Sequence, residues 1–214
     1  CIRDRMYSAG ESTRVQVNGL SEPLCGAHRD GHFLGVTTVC TKLFVVTGCD
    51  LAVFGQKDAQ QCLVIRRLVL DLGFDMDLLF VPTVREESGV AMSSRNRYLQ
   101  GEEIARSRAL SLALAAGKEL LDSGERSVPA VEAAMETVLA DLGVKPDYAE
   151  ARRIPDLQHP EVAEGRVLLA VAAYVGAARL IDNLCVEVGD TVVEVPLCDE
   201  HAPAALAERW TGPA

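Results

Sequence analysis

The stretch "VFGQKDAQQ" (53–61) places Lys57 where an apolar run ends at Gly55 and a helical pattern begins. A helix start offers backbone N–H groups without intrahelical partners and the positive end of the helix dipole. A mobile ammonium beside it adds a full charge, and the combination suits a phosphate. Gln61, one turn into the helix, is placed to reach a neighbouring polar ligand. A second stretch, "AMSSRNRYL" (91–99), sets two adjacent hydroxyls, Ser93 and Ser94, before Arg95 and Arg97. Hydroxyl and guanidinium donors together can grip phosphate oxygens from several sides. Taken singly, the first stretch also reads as a surface lysine beside a capping Asp58, and the second as a solvated loop before a helix. Flanking one domain junction in an acidic chain, they point jointly to an anionic ligand.

The elements that must position them can be read from periodicity. Residues 1–34 are irregular apart from a strand at "TRVQV" (13–17). "GVTTVCTKLFVV" (35–46) reads as a β-branched strand or a helix; Val36, Val39, Leu43 and Val46 follow a helical apolar stripe and twelve residues is long for a strand, which favours the helix. "CDLAVFG" predicts a short buried strand. "DAQQCLVIRRLVLDLG" predicts a helix capped by Asp58 and ended by Gly73, with Leu63, Leu68, Val69 and Leu72 on its inner face. "MDLLFVP" predicts a second buried strand. Strand, helix, strand with short connections is a βαβ unit, so residues 35–82 belong to a parallel α/β sheet. They are too few to complete one. After Val84 the pattern changes to helices at about 102–122 and 128–142 and three strands, "PDYAEARRI", "RVLLAVAAYV" and "ARLIDNLCVEV", the last two joined as a hairpin at Gly176. The expected organisation is a partial parallel domain, 1–84, followed by an α+β domain with an antiparallel sheet, 85–214.

Composition narrows the partners. A formal charge of −10 leaves no general basic field for nucleic acid, so any anion needs a local cluster of donors. No apolar run reaches the ~18 residues of a membrane span, and no signal segment opens the chain. The seven cysteines, with no Cys-x-x-Cys pair, read as reduced thiols, which points to the cytoplasm. Two histidines in "HRDGH" (28–32) invite comparison with the His-x-Gly-His pair by which nucleotidyl-transferring enzymes meet ATP phosphates. The spacing is one residue too long and no strand precedes it, so it is not that pair. His32 can still line a site, while His28, His159 and His201 read as ordinary surface or capping residues.

The same stretches resemble the pantothenate synthetase (pantoate–β-alanine ligase) family. "FGQKDAQQ" resembles F-G-E-K-D-x-Q-Q, and "VPTVREESGVAMSSRNRYL" resembles V-P-T-V-R-E-x-x-G-x-A-M-S-S-R-N-x-Y-L. "RDGHFLGVTTVCTKLF" and "GRVLLAVAAYVGAARLIDN" resemble two further segments of that family, and the match runs from about Met6 to Gly189. The resemblance implies a Rossmann-like nucleotidyl-transferase sheet followed by a smaller α+β domain. It implies an ATP-dependent ligase that joins pantoate to β-alanine through a pantoyl adenylate, releasing AMP and pyrophosphate, with Mg²⁺ accompanying the ATP and no protein metal site. By position, Gly55, Gln56, Lys57 and Asp58 match the ATP motif at the strand end, and Val84 matches an adenine-side contact. Met92, Ser93, Ser94 and Arg95 match the second ATP loop, and Gln61 a pantoate-binding glutamine. Lys57, Ser93, Ser94 and Arg95 are the expected catalytic group, and a homodimer is the expected assembly.

Two departures go with the resemblance. Gln56 stands where the family has glutamate, removing a charge beside Lys57. The family's N-terminal third, with its P-T-M-G-A-L-H-x-G-H loop and a second pantoate glutamine, has no counterpart in these residues. The expectation is therefore that the 214 residues alone do not turn over. The alternatives are a non-catalytic remnant or interaction module of the same fold, and an adenylyl transferase acting on another small carboxylate.

Overall fold

The computed structural model describes residues 6, 7 and 9–198, so Cys1 and His201 lie outside the described residues. The chain forms two compact units. Of the described residues, the first holds those up to Val53 together with Gln60–Leu79, and the second holds Phe54–Ala59 and Phe80 to Cys198.

In the first unit, "TRVQV" is not a strand. The Val15 N–H donates to the Thr38 hydroxyl at 3.1 Å, and its carbonyl accepts from the Thr37 hydroxyl at 2.5 Å. At Val15 the backbone polar groups are thus taken by side chains rather than by a sheet neighbour. Both threonines lie on a helix, α2 (His32–Thr47), which follows a single turn, α1 (Cys25–His28). The predicted helix is present but its inner face is not the predicted stripe. Phe33, Thr37, Cys40 and Phe44 are buried, whereas Leu43 is 43% and Val46 77% exposed. The hydroxyls at Thr37 and Thr38 hide the true face from a count of apolar residues, because they are buried as hydrogen-bond partners of Val15. Cys40 sits on this face, and burial pushes its thiol up to about 11.

β1 (Leu51–Gly55) and β2 (Asp77–Val81) form a two-stranded parallel sheet, with the Asp77 N–H donating to the Asp50 carbonyl at 2.8 Å. α3 (Ala59–Leu72) connects them, entered through a 3-10 turn at Gln56–Asp58. Leu63, Leu68 and Val69 are buried as predicted, but Leu72 is half-exposed. The strands are also less buried than predicted: of β2 only Phe80 is fully buried, and Val53 of β1 is exposed. A sheet of two strands cannot enclose both of its faces. The six described cysteines are thiols, and five of them are buried.

The second unit carries the larger core. The predicted helix at 102–122 is two, α4 (Glu102–Arg106) and α5 (Ala109–Asp122). They break at Ser107, a buried serine whose hydroxyl donates to the Ile104 carbonyl at 2.7 Å and competes with the helical pattern. α6 (Val128–Asp141) packs on α5. A Cβ at Gly117 would stand 2.9 Å from Met135 Cγ, so the two helices approach more closely than an alanine there would allow. Four antiparallel strands follow in the order β3 (Lys145–Arg153), β4 (Gly165–Val175), β5 (Ala178–Val188) and β6 (Val192–Glu194). β6 is a three-residue edge strand that its short sequence does not announce. The β4–β5 hairpin closes with Val175 opposite Ala178. At its tip Gly176 has φ 59°, and any side chain would collide with the Glu103 carboxylate. Leu110, Leu114, Val131 and Met135 meet Leu169, Val171, Leu180 and Val186 in the core. Every residue of β4 from Val167 to Ala173 is buried, so this central strand reads as a continuous apolar run with no alternation.

Candidate functional site

The residues that flank the predicted junction meet on β5. Gly55 ends β1, and Gln56, Lys57 and Asp58 make the 3-10 turn after it, Gln56 and Asp58 flanking a half-buried Lys57. This turn is fastened from outside. Asn183 Nδ2 donates to the carbonyls of both Gln56 and Lys57, at 3.1 and 2.8 Å. Asn183 is only 6% exposed, and a buried amide is tolerated because it is hydrogen-bonded.

The second loop is fastened one residue away. Residues 84–92 fold back on themselves, with Arg85 opposite Ala91 and the Met92 N–H donating to the Val84 carbonyl at 2.9 Å. From this ladder the Arg85 guanidinium reaches both oxygens of Asp182, at 2.7 and 3.1 Å. The Asp182 side chain is 2% exposed, and it also accepts the Asn183 N–H at 2.8 Å. Beyond the ladder, Ser93 Oγ accepts the Arg95 N–H at 3.2 Å and caps a second 3-10 turn, Ser94–Tyr98. Arg95 Nη1 donates to the Arg179 carbonyl at 3.4 Å, again on β5. Asn96 Nδ2 donates to the Ala91 carbonyl at 3.2 Å and to Glu86 at 2.8 Å, holding the turn against the ladder.

Of the residues singled out in the sequence, Lys57 and Ser93 line one small cavity together with Asn96, Ser107 and Asp182. Arg95 is half-buried nearby in sequence, while Val84 and Met92 are exposed. Gln61 is half-buried in α3 and belongs to the first unit. His32 also lies in the first unit, at the start of α2, 2.9 Å from Arg29 Nη1. His159 is bound to Glu132 at 2.8 Å. Arg85, Asp182 and Asn183 escape the residue-by-residue reading. Their signal is the polar pair Asp-Asn inside the apolar strand "ARLIDNLCVEV", since adjacent buried polar residues in a strand require partners.

The chemistry on offer is donation: an ammonium, two hydroxyls and a guanidinium, with the carboxylate that lines the same cavity, Asp182, occupied by Arg85. Among the described residues no three His, Cys, Asp or Glu side chains gather to hold a metal ion.

A parallel βαβ unit with a lysine at its strand-to-helix turn, together with an antiparallel α+β unit, defines a protein of the nucleotidyltransferase-like α/β class. Comparison with known proteins makes this specific. The family model for pantoate-beta-alanine ligase matches residues 2–185. The pantothenate synthetase of Moorella thermoacetica is 49% identical over 188 residues, covering 87% of this chain and 66% of that protein. The crystal structure of pantothenate synthetase from Thermus thermophilus superposes with a TM-score of 0.81 at 42% identity, over 85% of this chain and 66% of that one. A pantoate-beta-alanine ligase from Francisella tularensis, solved in complex with beta-gamma ATP and beta-alanine, gives 0.64 at 26% identity, over 84% and 60%. The chain belongs to the pantoate–β-alanine ligase family. It spans 66% of the length of the curated relatives first matched, just under two thirds. No described helix is long and apolar enough to cross a membrane.

Proposed function

We propose that this chain supplies the Lys57 and Ser93–Arg95 side of an ATP-dependent ligase that condenses pantoate with β-alanine. The pantoate carboxylate attacks the α-phosphorus of ATP, and pyrophosphate leaves. The β-alanine amine then attacks the acyl carbon of the pantoyl adenylate, loses a proton, and AMP leaves with the electron pair of the acyl–oxygen bond. The first step makes the second feasible, because a carboxylate resists an amine whereas an acyl phosphate anhydride does not. Lys57, Ser93, Ser94 and Arg95 donate to phosphate oxygens as negative charge builds on them, which is worth most from groups already in place. Gly55, Gln56, Asp58, Val84 and Met92 shape the nucleotide's seat, and Gln61 reads the polar groups of pantoate. Mg²⁺ travels with the ATP. A domain break near Val84, a cytoplasmic setting and a homodimeric assembly go with this reading.

The observation that carries it is the common anchorage of the two donor loops: the turn holding Lys57 and the ladder leading to Ser93 are tied to adjacent residues of β5. Exchange of labelled pyrophosphate into ATP, dependent on pantoate and measured on the full-length protein, tests it directly. No exchange with pantoate, or equal exchange without it, would overturn the assignment.

Two variants separate the subsites. Arg95→Lys is expected to slow exchange by about tenfold or more, since a point charge cannot reproduce planar multi-donor contact. Full activity would show that Arg95 only orders its loop through Arg179. Gln61→Ala is expected to raise KM for pantoate by roughly tenfold, the worth of about 1.4 kcal/mol, with KM for ATP little changed. A selective rise in KM for ATP would move Gln61 to the nucleotide.

A further inference from the structure

The turn that carries Lys57 has a partner that neither the sequence motifs nor the family match assigns a role. Asn183 gives its amide hydrogens to consecutive carbonyls, those of Gln56 and Lys57. It does so from the middle of β5, where Asn183 stands opposite Ala170 and the strand is paired with β4 along its whole length. Its own N–H is held by Asp182, whose carboxylate binds Arg85 of the ladder before Ser93. The amide's Oδ1 is buried and without a hydrogen-bond partner among the described residues, so all the bonding of this side chain is spent on the turn.

We propose that Asn183 is the positioning residue for Lys57. Resting on the functional reading above, the inference is that the amide fixes two successive peptide planes of the turn and so sets where the Lys57 side chain leaves the backbone. Alternation along the strand sends Asp182 and Asn183 to opposite faces of β5. Asp182 takes the ladder and Asn183 takes the turn, so adjacent residues of one strand hold the two donor loops in place relative to each other. A sheet is a stiffer gauge than a loop. Misplacement of a reacting group by about 1 Å can cost about a hundredfold in rate, so the anchor matters even though it touches no substrate.

The test is a double-mutant cycle on the full-length protein, read as pantoate-dependent pyrophosphate exchange. Asn183→Asp keeps the shape but removes both donated hydrogens and sets a carboxylate against two carbonyls. It is expected to lower kcat roughly tenfold to a hundredfold with KM for pantoate unchanged. Its effect should vanish when Lys57 is already alanine, because a residue acting through Lys57 has nothing left to position. A general loss of folded protein would instead persist in full in the Lys57→Ala background. If Asn183→Asp does not fold, Asn183→Ser, which keeps a donor and brings no charge, goes through the same cycle. Undiminished loss in the double variant, or no loss in the single one, overturns the proposal. Normal exchange by Lys57→Ala alone would remove the functional reading of Lys57 as well, and that arm is measured separately.

Discussion

Under the proposed function, replacing Lys57 with alanine is expected to slow pantoate-dependent pyrophosphate exchange by ~10²–10³-fold, the loss typical of one preorganised electrostatic donor. The side chain stands on a 3-10 turn whose geometry is held through main-chain carbonyls, so the turn survives the substitution. Because Lys57 is half-buried and its backbone contacts remain, thermal stability should change little. Rate and stability therefore separate: exchange collapses while the unfolding transition stays in place. Unchanged exchange, or equal nucleotide affinity by calorimetry, would return Lys57 to the status of a surface lysine.

The largest expected effect on stability lies at Arg85. Arg85→Met leaves the Asp182 carboxylate, 2% exposed, without its guanidinium. Removing one member of a buried pair costs about 3–5 kcal/mol, since the remaining charge is uncompensated. The Asn183 N–H still bonds Asp182, which places the expected loss near the lower end, about 3 kcal/mol. Arg85→Met combined with Asp182→Leu should recover most of it, because an apolar pair of similar volume incurs no desolvation cost. Denaturant unfolding measures both. A loss below about 1 kcal/mol in the single variant would mean that Arg85, whose side chain is 33% exposed, is screened like a surface ion pair.

Much of the fold is legible because periodicity reports it. Helices α2, α3, α5 and α6 and all strands of five residues or more follow from the spacing of apolar positions and the glycines between them. The misreadings at the first segment, α2 and the α4–α5 break share one cause: polar atoms whose hydrogen bonds the apolar pattern does not report. Thr37 and Thr38 belong to the inner face of α2 only because Val15 lies against them, and Ser107 breaks a helix that its neighbours would continue. The candidate site divides in the same way. Lys57 and Ser93–Arg95 are visible as donors at element ends, whereas the network that spaces them, Arg85–Asp182–Asn183, joins distant parts of the chain and leaves only an incongruous Asp-Asn in a strand. Sequence shows which groups can act. Their mutual placement is a tertiary property.

The side-chain clasp on Val15 also orders events in time. Thr37 and Thr38 are adjacent on α2, and the helix holds their side chains about 100° apart, so that both hydroxyls reach one residue's backbone. A strand can be recruited by any free sheet edge, but this segment has no docking place until α2 has formed. Closing the loop between Val15 and Thr37, 22 positions apart, before that point would cost chain entropy with nothing to offset it. The N-terminal described segment is therefore expected to arrive late in folding, laid onto a helix that local contacts make first.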